Sequence, residues 1–164
     1  MRRISIRYLT EGALIAALYV ALTWLSSLVG LSSGAIQFRL SEALCVLAAF
    51  TPAAIPGLAI GCALANLLTG SLPLDILFGS LATLLGALVC WLTRRFGRLW
   101  APVPNILSNT VIVPLVLMFV YQLEGGFFLL ALGVFIGEFV CGGLLGLAVH
   151  ATCARFSHRL FPQK

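Results

Sequence analysis

Lysine is almost missing from this sequence. The single one, Lys164, is the last of 164 residues. A phosphate-binding loop needs a glycine-rich turn ending in Lys and then Ser or Thr, so the chain cannot hold ATP in that way. The two histidines, His150 and His158, form no H-E-x-x-H motif, and cysteine and histidine never alternate at metal-ligand spacing. There is no repeat resembling a selectivity filter. No internal repeat of the kind common in secondary transporters is obvious. The three outer carboxylates look well separated, whereas a membrane enzyme needs such groups clustered on facing helices. No catalytic activity, cofactor or metal is therefore expected. Charge of any sign is scarce too, at 9% of residues against about 25% in soluble domains.

What fills the sequence instead is apolar. Hydrophobic residues make up 61%, and mean hydropathy is +1.10. These values predict an all-α integral membrane protein, because a helix satisfies its own backbone in lipid. The length suits about six spans of ~20 residues in one membrane-embedded domain, residues 1–164, with no room for a soluble catalytic module.

The net charge of +5 does not point to nucleic acid, because the basic residues are clustered. Arg2, Arg3 and Arg7 lie at the N-terminus, Arg94, Arg95 and Arg98 form an internal group, and Arg155, Arg159 and Lys164 lie at the C-terminus. Each cluster flanks an apolar run, which is the positive-inside pattern of a membrane protein. The first thirty residues have some features of a signal peptide. Their apolar run is too long for one, and Glu11 interrupts its start. Cys45, Cys62, Cys90, Cys141 and Cys153 all sit in apolar helical contexts and read as small buried hydrophobes.

The apolar pattern predicts helices over residues 9–29, 41–51, 55–68, 74–93, 105–122 and 127–153. Ser41 is expected to cap the second, and Pro114 falls within the fifth. Residues 51–57, TPAAIPG, mark a turn or kink. Six spans place all three basic clusters, and so both termini, on the cytoplasmic side. The second and third helices are short for a ~30 Å core and are equally readable as a re-entrant pair. Arg7 and Glu11 are one turn apart and can pair.

The polar residues of the 37–75 stretch then fall at the outer face: Gln37, Arg39, Glu42, Asn66 and Asp75, with Tyr121, Gln122 and Glu124 beside them. Glu138 falls near the middle of the sixth helix with no partner in its own sequence neighbourhood, and is expected to line a cavity. Arg39 and Glu42 are placed to pair with each other. Asn105, Ser108, Asn109 and Thr110 are explained by hydrogen bonding between helices, with Asn109 a weak site candidate. On the first helix, Gly12 with Ala16, and Ala13 with Ala17 and Ala21, form small-residue faces. These suit close packing, either inside the bundle or against another membrane subunit.

The runs QFRLSEAL, FTPAAIPGL, ANLLTG and PLDILFGSLATLL, with the later GEFVCGGLLGL, resemble the QueT family of queuosine-precursor transporters. The likeness is densest over residues 36–88. It implies the substrate-binding (S) component of an energy-coupling factor (ECF) transporter. Such a protein is a six-transmembrane-helix bundle with both termini cytoplasmic. It binds a deazaguanine base at the outer face of the cell membrane. It docks on a transmembrane coupling (T) subunit with two ATPase subunits, and Gly12, Ala13, Ala16, Ala17 and Ala21 match the family-type docking surface. An S component for another vitamin-like ligand, and a small membrane scaffold or channel subunit, are the alternative readings.

The ligand chemistry can be matched to the residues. One carboxylate accepts both N–H groups on the edge of a guanine-like base, and Glu138 is the expected acceptor. Glu42 or Asp75 would meet an aminomethyl cation. Arg39, Gln37 and Asn66 offer donors for the ring carbonyl. Phe38, Phe78, Tyr121 and Phe135 are candidates to stack on the ring.

Overall fold

The computed structural model describes residues 5–30 and 36–156. Arg2, Arg3, Arg159, Lys164 and His158, and residues 31–35 of the expected outer loop, lie outside the described residues. Six helical passes follow one another. They are α1 (Ile6–Leu28), a 3₁₀ segment (Leu40–Ala49), α2 (Ala54–Leu68), α3 (Pro73–Thr93), α4 (Val103–Phe119) and a final long helix. The last is continuous from α5 (Gly126–Glu138) through a π-wound segment (Phe139–Leu145) into α6 (Gly146–Arg155). The expected number of helices is matched. By length and composition four passes can cross a membrane: Ile6–Leu28, Pro73–Phe96, Arg98–Phe119 and Gly126–Arg155. The other two are short, as expected.

The boundaries have local causes. Gly70, at φ +77°, reverses the chain after α2, in a conformation open to glycine without strain. Pro73 then begins α3, where its missing N–H costs nothing. The 51–57 turn is tighter than expected, because Pro56 falls in the first turn of α2, which tolerates it. Arg7 Nε meets Glu11 at 2.7 Å, and Thr51 donates to the other Glu11 oxygen at 2.9 Å. At the far end of α3, Arg94 lies 3.5 Å over the Trp91 ring, and Trp100 donates to Thr93. Arginine and tryptophan together are typical of a membrane interface.

The 3₁₀ segment is the hub. It packs against α1, α2, α3, the π segment and α6, while α1–α2, α2–α3, α3–α4 and α4–α5 pack in chain order around it. Residues 41–48 are all buried. Three residues per turn set its side chains in three rows. Ser41 faces α1, accepting from Thr23 at 2.7 Å. Ala43 and Val46 lie against Gly146 of α6. Glu42 and Cys45 face the interior near α4. Ser41 therefore serves as an inter-helix contact inside the segment, where a helix cap had been expected; the cap position is held by Arg39.

The small face of α1 is partly consumed inside the bundle. A Cβ on Gly57 of α2 would stand 2.6 Å from the Gly12 carbonyl oxygen, and one on Gly61 would stand 3.0 Å from Ala16 Cα. Backbone meets backbone here. Ala13, Ala17 and Ala21 remain exposed. The four cysteines Cys45, Cys62, Cys90 and Cys141 are buried, and Cys153 is half-buried, all as free thiols.

Candidate functional site

The interior polar groups converge between the 3₁₀ segment, α4 and α5. Glu42 and Glu138 are 3% and 7% exposed. The two carboxylates share two amide donors. Asn105 Nδ2 lies 2.9 Å from Glu42 Oε2 and 3.4 Å from Glu138 Oε2. Asn109 Nδ2 lies 2.8 Å from Glu138 Oε1 and 3.4 Å from Glu42 Oε2. The Tyr19 hydroxyl donates to Glu42 Oε1, and the Cys45 thiol lies 3.4 Å from Oε2.

This arrangement corrects four expectations. Glu42 stands deep in the bundle, because the 3₁₀ segment is buried from its first turn. The acidic residues are not all apart, since Glu42 and Glu138 meet on common donors. Glu138 does have partners, which come from α4 and were invisible in its own sequence neighbourhood. The expected Arg39–Glu42 ion pair is not formed within 4 Å. Arg39 turns instead to α2, where its Nη2 donates to Asn66 Oδ1 at 2.6 Å. Its Nε is buried with no hydrogen-bond partner.

Asp75 and Tyr121 meet at a more open rim, the phenol donating to Asp75 Oδ2 at 2.8 Å. Tyr121 also accepts from the Leu72 amide. Partial burial pushes the Tyr121 phenol above its ordinary value, so it stays a donor at neutral pH. Asp75 opens α3 and Arg94 follows its last residue, so rim and basic cluster stand about 30 Å apart on the helix rise.

Gln37, Arg39, Glu42, Asp75, Asn109 and Glu138 line one cavity, with Cys62, Gly79, Thr83, Val113 and Val134 completing its wall. Its volume is about 20 Å³, room for roughly one water. Asn66 stands behind Arg39 and Tyr121 behind Asp75. Phe38 is half-buried on the 36–39 strap but is not in the lining. Phe78 and Phe135 are 42% and 41% exposed, so neither faces the cavity. Val113 and Val134 make up an apolar wall of the cavity where rings were expected. The strap itself rests on α5: the Gln37 carbonyl oxygen lies 1.9 Å from where a Gly137 Cβ would stand.

Tyr19, Asn105 and Thr83 were not read as site residues from the sequence. Tyr19 had a signal, since Tyr19, Thr23 and Ser26 lie on one face of α1 and all are buried. Thr23 reaches Ser41, and Ser26 accepts from the Leu40 amide at 3.1 Å. On the opposite side Ala13, Ala17, Ala21 and Trp24 border an apolar groove of about 720 Å³ with Ile60 and Leu64 of α2.

The model of the QueT transporter family matches residues 9–155. The queuosine precursor transporter QueT of Lactococcus lactis subsp. cremoris (strain MG1363) is 43% identical over 72 residues, which cover 44% of this chain and 42% of that protein. The matched part thus spans less than half of that relative's length. No solved structure matches.

Proposed function

The chain belongs to the QueT transporter family, and from that premise we propose that it is a membrane substrate-binding subunit for a queuosine precursor. The family is one of transporters and not of enzymes, and the four long apolar helices fit a multi-pass membrane protein. The observation that carries the finer reading is the cavity lined by Arg39, Glu42, Asp75 and Glu138 together. In this reading Glu138, with Asn109 beside it, accepts the N–H edge of a deazaguanine base. The unpartnered Arg39 Nε donates to the ring carbonyl. Asp75 at the rim, or Glu42, meets an amine. Val113 and Val134 cover the ring faces.

Ligand pockets usually enclose about 300–1,000 Å³, far above the volume seen here. A base therefore enters only when the lining parts. The 36–39 strap and the Arg39–Asn66 bond are the elements that must move. The mouth is the Asp75–Tyr121 rim, which the reading places outside the cell with both termini in the cytoplasm.

Delivery inward is assigned to an ECF assembly of a T subunit and two ATPases. The lack of a phosphate-binding loop, with Lys164 the only lysine, supports this assignment. Ala13, Ala17 and Ala21 on the open face of α1 are the proposed docking residues, with Gly12 and Ala16 beneath them holding α1 against α2.

Purified protein should bind deazaguanine bases at low micromolar concentration and ignore vitamins. Binding of a vitamin in place of the bases would make it an S component for another ligand. Binding of neither would leave a scaffold or channel subunit.

A further inference from the structure

Glu42 and Glu138 are unequal. Glu42 receives four donors: the Tyr19 hydroxyl, the Cys45 thiol and the Asn105 and Asn109 amides. Glu138 receives one short bond, from Asn109 at 2.8 Å, and one long one, from Asn105 at 3.4 Å. Every one of these donors is neutral. Among the described residues the one cation in the cavity lining is Arg39, and its head bonds Asn66 with Nη2. The lining thus sets three carboxylates, Glu42, Asp75 and Glu138, against one guanidinium. Asp75 is held at the rim by Tyr121. The other titratable groups near the pair are Tyr19, Cys45, Cys62 and Cys141, neutral in their ordinary forms. One guanidinium offsets only part of that charge, and two buried carboxylates on shared donors disfavour ionising together.

Resting on the base-binding reading above, we infer that Glu138 carries a proton in the free protein and releases it when a cationic ligand enters. Binding is then an exchange of one positive charge for another. Glu138 is the holder because four donors already satisfy Glu42 as an anion, while the Glu138 oxygen facing Asn105 is poorly served. The balance is simple. The Glu138 O–H bond breaks, its proton passes to water, and the ligand's ammonium group supplies the charge that the proton had supplied. A neutral base brings no charge, so the proton stays and the base binds less tightly. The pair acts as one titrating unit, and the exchange makes the protein select the amine-bearing form of its ligand.

Calorimetry on the purified, detergent-solubilised protein tests the exchange, in buffers of different ionisation enthalpy. An aminomethyl-deazaguanine should release about one proton per molecule bound near neutral pH, and its affinity should rise as pH rises, approaching tenfold per unit while Glu138 is protonated. A deazaguanine lacking the amine should release none and bind at least tenfold more weakly. Infrared difference spectra should show a carboxylic-acid carbonyl band that vanishes on binding of the amine and is missing from Glu138→Gln. Binding of the amine with no proton release between about pH 6 and 8 overturns the inference. The band in the free protein reports the proton without any ligand. Failure of both bases to bind while the band is present therefore removes the base-binding reading and retains the proton. Absence of the band from the free wild-type protein overturns the proton assignment.

Discussion

Gly137 offers the sharpest mechanical test of the site. In place of a Cβ it holds the Gln37 carbonyl oxygen, 1.9 Å from the ideal Cβ position, with the Gln37 carbonyl carbon at 2.9 Å. Carbon and oxygen settle at about 3.3 Å, so Gly137→Ala forces the strap back by about 1.4 Å. The neighbour is backbone, so no flexible side-chain tip can swing aside. Overpacking of this kind costs about 1–3 kcal/mol. At roughly 2–4 °C per kcal/mol for a chain of this size, the melting temperature should fall by several degrees. Arg39, two residues along, should be drawn off Asn66 with the strap, and base affinity should fall about tenfold for each 1.4 kcal/mol that reaches the site. Gly143→Ala is the control in the same long helix. Its Cβ would meet Ile106 Cδ1 at 3.5 Å, an ordinary contact, and both readings should stay near wild type. Thermal melting and base titration of the two purified variants decide the matter. A Gly137→Ala protein with unchanged melting temperature and affinity refutes the claim that the strap is seated on α5.

Other variants address other joints. Gly57→Ala places a Cβ 2.6 Å from the Gly12 carbonyl oxygen, and should lower the melting temperature by forcing α1 and α2 apart. Asn109→Leu removes the 2.8 Å bond to Glu138; a loss of about 1–3 kcal/mol in stability, read by melting, should come with weakened base binding. Tyr121→Phe breaks a more exposed bond and should change affinity by less than about threefold. The raised phenol value keeps that bond fully formed below the ordinary value near 10 and loses it as pH climbs through the folded value. The difference between Tyr121→Phe and wild type, read by titration, should therefore be flat from about pH 6 to 9. Ala17→Trp fills the groove beside α2 and should abolish uptake by cells while leaving base binding by the purified protein intact.

The helices were legible in the sequence because lipid imposes long apolar runs, and the basic clusters and glycine–proline breaks punctuate them. The helix ends of α2 and α3 were read to within a residue or two for that reason. Winding was not legible. Nothing in LSEALCVLAA announces a 3₁₀ path, which comes from burial on every side among five neighbouring elements. The π turn after Glu138 was equally hidden. Glu138 itself stood out because a carboxylate amid apolar neighbours has no local explanation. Its partners did not, since Asn105 and Asn109 are satisfied by any of several helices until packing chooses one. The burial of Glu42 was not legible either, because residue counting along a helix does not show that the segment is enclosed on every side from its first turn.

That winding has a consequence for how the centre of the molecule is dimensioned. Ten residues wound as a 3₁₀ helix reach about 20 Å, and the same residues as an α-helix reach about 15 Å. The tighter coil therefore works as a longer strut. It advances each residue by about 120° instead of about 100°, and this is what lines up Glu42 with Cys45 in one row and Ser41 with Leu44 in another. Rewound as an α-helix, the strut would shorten by about 5 Å and its rows would shear apart along its length. The end joined to Arg39 would be pulled inward, and the acid would lose its register with the tyrosine on α1 and the amides on α4. The gauge of the polar cavity is thus set by the pitch of one ten-residue coil, and any change of that pitch would move Arg39 and Glu42 together.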